Sequence, residues 1–126
     1  MKLTPISLTR NTAAKPMARV TANGILSLNA QAVQQFGLKA GQTVQVATNE
    51  EDPDSKNLYL IFTTQGDSLL KLSGKKNNLN IAFRSVLNSL GIDPQSHVID
   101  YHLTREFTAG GNRVIELAWK GKKARG

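Results

Sequence analysis

Two histidines, His97 and His102, carry the only imidazoles that could ligate a metal or move a proton near neutral pH. They lie five residues apart in a segment that alternates like a strand, so they should point to opposite faces. The chain has no cysteine, which excludes a thiolate metal site, a cysteine nucleophile and a disulfide framework. We therefore expect no metal site and no cofactor here.

Four carboxylates crowd into one short stretch: Glu50, Glu51, Asp52 and Asp54. Their spacing matches no calcium loop, and Pro53 stiffens the middle, so a solvated loop is the expectation. The Gly110-Gly111 pair lies between two predicted strands and not before a helix, where a phosphate would bind. No serine has a believable histidine partner. The sequence predicts a protein that is not an enzyme and that has no small-molecule substrate.

Charge is the most informative property of the chain. Sixteen Lys and Arg against nine Asp and Glu leave a net charge of +7. Residues 1–49 hold five basic residues and no acid, and residues 55–126 hold eleven basic residues against five acids. Such an excess attracts polyanions, because neutralised phosphates release their condensed counterions. The alternative is that the charge serves solubility alone.

Candidate contacts to nucleic acid follow from charge and predicted strand position. Lys75 and Lys76 directly precede a predicted helix, and Arg84 lies on the polar face of that helix. Of seven aromatic residues, Tyr59 and Tyr101 are the best candidates for exposure and for stacking on bases. The predicted phosphate contacts are Arg19, Lys71, Lys75, Lys76, Arg84, Arg105 and Arg113.

The elements that must position these residues form one α+β domain with an antiparallel-rich sheet and two short helices. We expect an arm over 1–16, the domain over 17–120 and a basic tail over 121–126. The predicted order is β-α-β-β-β-α-β-β. Strands are expected at 17–28 (as a hairpin on Asn23-Gly24 or one bulged strand), 43–48, 58–63, 68–73, 97–105 and 113–119, and helices at 30–36 and 81–90.

The two predicted joints between helix and strand look alike. Val33 to Leu38, followed by Val44, matches Leu87 to Ile92, followed by Val98, at a constant offset of 54 residues. An internal duplication would give two similar half-sheets that bury their apolar faces against each other. The alternative is coincidence, since any amphipathic helix that ends in glycine before a strand looks like this.

Residues 25–46 resemble the strand-helix opening of a family of small single-stranded DNA-binding proteins that includes the Whirly proteins and positive-cofactor-type transcriptional coactivators. The run Leu79-Asn80-Ile81-Ala82-Phe83 is similar to a helix entry in compact members of that group, and the hairpin over 97–119 is similar to their closing strands. The resemblance implies single-stranded DNA binding and a role in transcription regulation.

A second resemblance covers the first half only. Gly24-Ile25 through Val44 is similar to the motif of AbrB-like swapped-hairpin regulators, with Gln42 in place of the usual acid. This resemblance implies a dimeric protein that binds duplex DNA.

Together these features predict binding of nucleic acid through a basic sheet face, with single-stranded DNA preferred over duplex. A homodimer is expected because one domain offers a short groove and free sheet edges. No apolar run approaches the roughly 20 residues that a membrane span requires, so we expect a cytoplasmic protein. The competing class is a protein–protein interaction module that meets an acidic partner.

Overall fold

Residues 3, 15–66, 69–75 and 78–124 are described by a computed structural model, which gives nine strands and two helices within these ranges. The strands are β1 (Met17–Val20), β2 (Ile25–Leu28), β3 (Thr43–Ala47), β4 (Leu58–Phe62), β5 (Leu70–Lys71), β6 (Ser73–Lys75), β7 (Asn78–Ala82), β8 (His97–Ala109) and β9 (Asn112–Ala124). The helices are α1 (Ala30–Phe36) and α2 (Arg84–Leu90). The α+β class is confirmed.

The first hairpin and the first helix form as the sequence predicts. β1 pairs antiparallel with β2, and Gly24 takes the positive φ of 78° that the turn requires. Asn29 caps α1, because its side-chain oxygen accepts from the Ala32 N–H at 2.9 Å. Gly37 ends the helix in the left-handed conformation.

The predicted order undercounts the strands around the second helix. The run that we expected to enter a helix is β7, in which Leu79 and Ile81 are buried and pair with β2. The helix begins only at Arg84. The alternation of Leu79, Ile81 and Phe83 therefore follows the period of a strand, which the sequence interpretation overlooked. The strand predicted at 68–73 is split into β5 and β6, whose separation is Leu72 alone.

All strand pairs are antiparallel, in the order β5-β3-β4-β9-β8-β1-β2-β7-β6. The two end strands β5 and β6 are neighbours in the chain, so residues 70–75 pair with β3 on one side and β7 on the other. Leu72 continues this link: its N–H donates to the Gln42 carbonyl and its carbonyl accepts from the Gly41 N–H, both at 2.8 Å. The sheet is a nearly closed barrel.

The two halves of the chain share one pairing scheme. β1–β2 and β3–β4 correspond to β6–β7 and β8–β9, while β1–β8, β2–β7, β3–β5 and β4–β9 join the halves. The helices keep the 54-residue offset, and the following strands do not. Met17 pairs with His102, and Lys71, which lies 54 positions after Met17, pairs with Thr43. Thr43 is therefore the counterpart of His102. A constant offset of 54 would instead have made His97 its counterpart.

The predicted equivalence of Val44 and Val98 is therefore wrong. Val44 is fully buried and Val98 is half-buried, because the second half carries five more residues between its helix and the paired part of β8. The sheet register makes Leu103 the counterpart of Val44, and Leu103 is buried as well.

Inward-facing side chains of both halves fill the barrel. The largest that are fully buried are Tyr101 and Phe83, followed by leucines and isoleucines from β2, β4, β7, β8, β9 and α2 and by Leu72. No polar or charged residue among those described is buried. Apart from the Tyr101 hydroxyl, the polar chemistry of the described residues thus lies mainly at outward-facing positions.

Candidate nucleic-acid interface

The two tyrosines predicted to stack on bases are not free to do so. Tyr101 lies inside the barrel with 0% exposure, and burial raises its pKa to about 12. The prediction that Tyr101 is exposed is wrong, because it continues the inward row of Ile99 and Leu103. Tyr59 lies outside and is half-buried. Its hydroxyl donates to Glu116 at 3.1 Å, and burial together with this hydrogen bond raises the pKa of Tyr59.

Arg19 is exposed on the outside of the barrel and holds a two-point ion pair with Asp100. Its Nε lies 2.7 Å from Oδ1 and its Nη2 lies 3.0 Å from Oδ2. The pair raises the pKa of Arg19 and lowers that of Asp100, because each group stabilises the charged form of the other. Arg19 thus places a cation on the outer surface, and this cation is already paired with Asp100.

Arg105 and Arg113 are tied into the protein. Arg105 lies 3.4 Å from Glu116 and over the ring of Phe107, with 5.0 Å from its guanidinium carbon to the ring centroid. Arg113 is 2.6 Å from Glu106. It also donates to the Phe36 carbonyl and lies 5.1 Å from the Phe62 ring centroid. Both arginines brace the long β8–β9 hairpin.

The remaining predicted contacts that the structure describes are exposed. Lys71 and Lys75 lie four positions apart, on β5 and β6, in the segment that nearly closes the barrel. Arg84 is exposed at the start of α2, where its Nη2 donates to the Asn23 carbonyl at 3.1 Å. Lys76 lies outside the described residues. Of the predicted phosphate contacts, Arg19, Arg105 and Arg113 are thus already paired with acids.

A different group of cations does converge. Lys120 and Lys123 lower the pKa of Asp100 alongside the dominant hydrogen bond from Arg19. The pKa of His102 is lowered by burial and then by the charges of Lys120 and Lys15, while Asp100 opposes the shift. We call these five residues the basic face: Lys15, Arg19, His102, Lys120 and Lys123.

The basic face is built by the register of β8 on its neighbours. Met17 pairs with His102 and Arg19 with Asp100, which places Lys15 and Arg19 of the β1 segment beside β8. On the other side, Val98 pairs with Lys123 and His102 with Ala118. A bulge between Asp100 and Tyr101 leaves Lys120 as the extra residue. Asp100 is the one acid among these paired positions.

Sequence reasoning missed most of this face because it ended the last strand too early. β9 continues to Ala124, so residues 121–124 are strand and not the predicted tail, while 125 and 126 lie outside the described residues. At the other end, the Pro16 carbonyl accepts from the Leu103 N–H at 3.0 Å. The rest of the predicted arm, apart from Leu3 and Lys15, lies outside the described residues. The lysine run after Trp119 was the available signal.

Comparisons with protein-family models, curated proteins and solved structures find no match. Across the described ranges, no helix has the length and apolar character needed to cross a membrane. Within those ranges there is also no group of three or more His, Asp or Glu placed to hold a metal ion.

Proposed function

We propose that the protein binds nucleic acid, and duplex DNA in preference to single strands, through phosphate contacts on the basic face. The observation that carries the proposal is the convergence of Arg19, Lys120 and Lys123 on Asp100 and of Lys15 and Lys120 on the neighbouring His102. Cations gathered on one outer surface neutralise neighbouring phosphates and release counterions, which supplies affinity without reading sequence. Regulation of transcription is a role that such binding would serve.

The preference for duplex follows from the aromatic residues. Proteins that bind single strands without sequence preference add stacking of bases on exposed rings to their phosphate contacts. Tyr101 is buried, and Tyr59 is held by Glu116 and meets the Phe107 ring edge-on with 6.4 Å between centroids. A phosphate-only surface favours the duplex, which carries the higher charge density. The resemblance of Gly24 through Val44 to the swapped-hairpin regulators agrees with this choice.

The sheet of one chain leaves few free edges for a homodimer to pair. Free sheet edges motivated it, yet residues 70–75 pair on both sides and leave the barrel nearly closed. A single chain already contains the two halves that face each other across β2–β7 and β4–β9. A homodimer stays a prediction, to be measured by sedimentation.

Fluorescence anisotropy with a labelled duplex and a single strand of equal length tests the proposed function. We expect tighter binding of the duplex, with log K falling linearly in log salt by about 0.9 per phosphate contact. Four or five contacts would give a slope of roughly −4. Tighter binding of the single strand would contradict the duplex preference. No binding to either at low salt would direct attention to an acidic protein partner.

Binding should strengthen as the pH falls, through His102. Its pKa in the free protein lies below the ordinary 6.5, because of burial and the nearby lysines. Phosphates beside the ring stabilise the imidazolium, so the complex takes up a proton and duplex affinity rises from about pH 7 to pH 5. Across this pH range, the His102→Gln variant should lose the part of the pH dependence of duplex affinity that His102 contributes. The His97→Gln variant should keep that part. Equal pH profiles for the three proteins would exclude His102 from the interface.

A further inference from the structure

A cavity of about 250 Å³ opens at the end of the barrel, beneath the C-terminal end of α2. Its apolar walls come from Leu58, Leu90, Ile92 and Trp119. The mouth of a barrel is a common place for small ligands, whose sites are mostly apolar with a few convergent polar groups. This cavity has that composition.

The last residue of α1 is better buried than the last residue of α2. Phe36 ends α1 and is 8% exposed, whereas Leu90, 54 positions later at the end of α2, is 40% exposed. Arg113 also contacts the C-terminal end of α1, because it donates a hydrogen bond to the Phe36 carbonyl. The smaller, outward Leu90 leaves room at the α2 end.

A polar group without a partner lines the cavity. Tyr101 is 0% exposed, and its hydroxyl has no hydrogen-bond partner among the described residues. Buried hydroxyls in folded proteins are nearly always paired, so an unpaired one calls for a partner from outside the chain. The Trp119 ring stands edge-on to the Tyr101 ring, with 5.6 Å between centroids.

Two cations stand at the exposed side of the cavity. The Lys56 ammonium lies 5.2 Å from the Trp119 ring centroid, and the exposed Lys122 lines the same space. No described acid lines the cavity itself; Asp52 and Asp54 border the neighbouring recess. The cavity therefore has a buried hydroxyl at its inner end, apolar walls in the middle and positive charge at its exposed side.

We propose that this cavity binds a small aromatic carboxylate that carries a hydroxyl or carbonyl group opposite its carboxylate. The inner oxygen pairs with the Tyr101 hydroxyl, the ring packs between Trp119 and Leu90, and the carboxylate meets Lys56 and Lys122. A dry cavity of about 150 Å³ accepts benzene, so the larger volume here suits one substituted ring. The proposal is independent of DNA binding.

Trp119 is the only tryptophan of the chain and lies in the wall, so its fluorescence reports on occupancy. The probes are 4-hydroxybenzoate and benzoate, titrated into the full chain and checked by calorimetry. We expect saturable binding of both, with 4-hydroxybenzoate tighter. Tyr101→Phe should weaken 4-hydroxybenzoate roughly tenfold and leave benzoate unchanged, since only the first has the inner oxygen.

Two further variants test the apolar walls of the cavity and its two lysine charges separately. Leu90→Phe places at the end of α2 the residue that fills the α1 end, and it should abolish binding of both probes while the circular dichroism stays native. The double change Lys56→Gln and Lys122→Gln should weaken both carboxylates and leave benzyl alcohol unaffected. Absence of saturable binding of either probe, or an equal loss of both in Tyr101→Phe, would overturn the proposal.

Discussion

Neutralising Lys15, Lys120 and Lys123 together with glutamine is expected to lower duplex affinity roughly a hundredfold or more at about 100 mM salt. These lysines supply most of the unpaired positive charge of the basic face, since Arg19 shares its charge with Asp100. Each phosphate contact contributes about 0.9 to the slope of log K against log salt, so the slope should fall by roughly 3 units. Anisotropy titrations over a salt series measure both quantities.

The matched control is the triple change of Lys39, Lys71 and Lys75 to glutamine. It lowers the net charge by the same three units from +7, and all three lysines are exposed and lie outside β1, β8 and β9, which together with Lys15 carry the basic face. Its effect should stay near threefold, because only long-range attraction is lost and salt screens it. Equal losses in the two triples would show that affinity follows net charge and that the basic face is not a site.

Much of the fold could be predicted because local signals agree with tertiary packing. Asn23-Gly24 marks the first hairpin, and Asn29 and Gly37 bound α1. Gly91 ends α2 in the same left-handed conformation. Each of these residues acts through its own backbone or cap, so its effect is readable without knowledge of what packs against it.

The burial of Tyr101 could also have been predicted. The alternation that puts Ile99 and Leu103 on the inner face of β8 places Tyr101 with them. The prediction of an exposed Tyr101 followed the residue type, although the strand period places this side chain on the inner face. A strand pattern should have outweighed residue type at this position.

The basic face could not be predicted in the same way. It depends on which residues of β1 and β9 lie beside Asp100 and His102, and on the bulge that turns Lys120 outward. The β1–β8 register joins residues about 80 positions apart and is set by the whole barrel, while the β8–β9 hairpin register is shifted by two bulges that the sequence does not mark. The charge excess predicted the kind of partner, while the sheet register determines where the charges meet.

Gly74→Ala is expected to destabilise the protein by about 3 kcal/mol or more, near 10 °C in melting temperature. Gly74 has φ +128° in β6, and a Cβ there would lie 2.2 Å from the Asn78 backbone oxygen. Backbone cannot move aside as a flexible side chain can, so the change should break the β6–β7 pairing that closes the barrel. Thermal and urea unfolding, followed by circular dichroism, measure the loss.

Gly37→Ala separates this contact from the cost of the backbone conformation. Gly37 has φ +60°, and a Cβ there would meet no atom within 4 Å, so only the left-handed strain of about 1–2 kcal/mol is expected. The difference between the two variants combines the collision with Asn78, the lost pairing and the larger backbone strain at φ +128° than at φ +60°. If both lose the same stability, residues 70–75 do not hold the barrel closed through Gly74, and the closure must depend on Leu72 and its hydrogen bonds to Gly41 and Gln42.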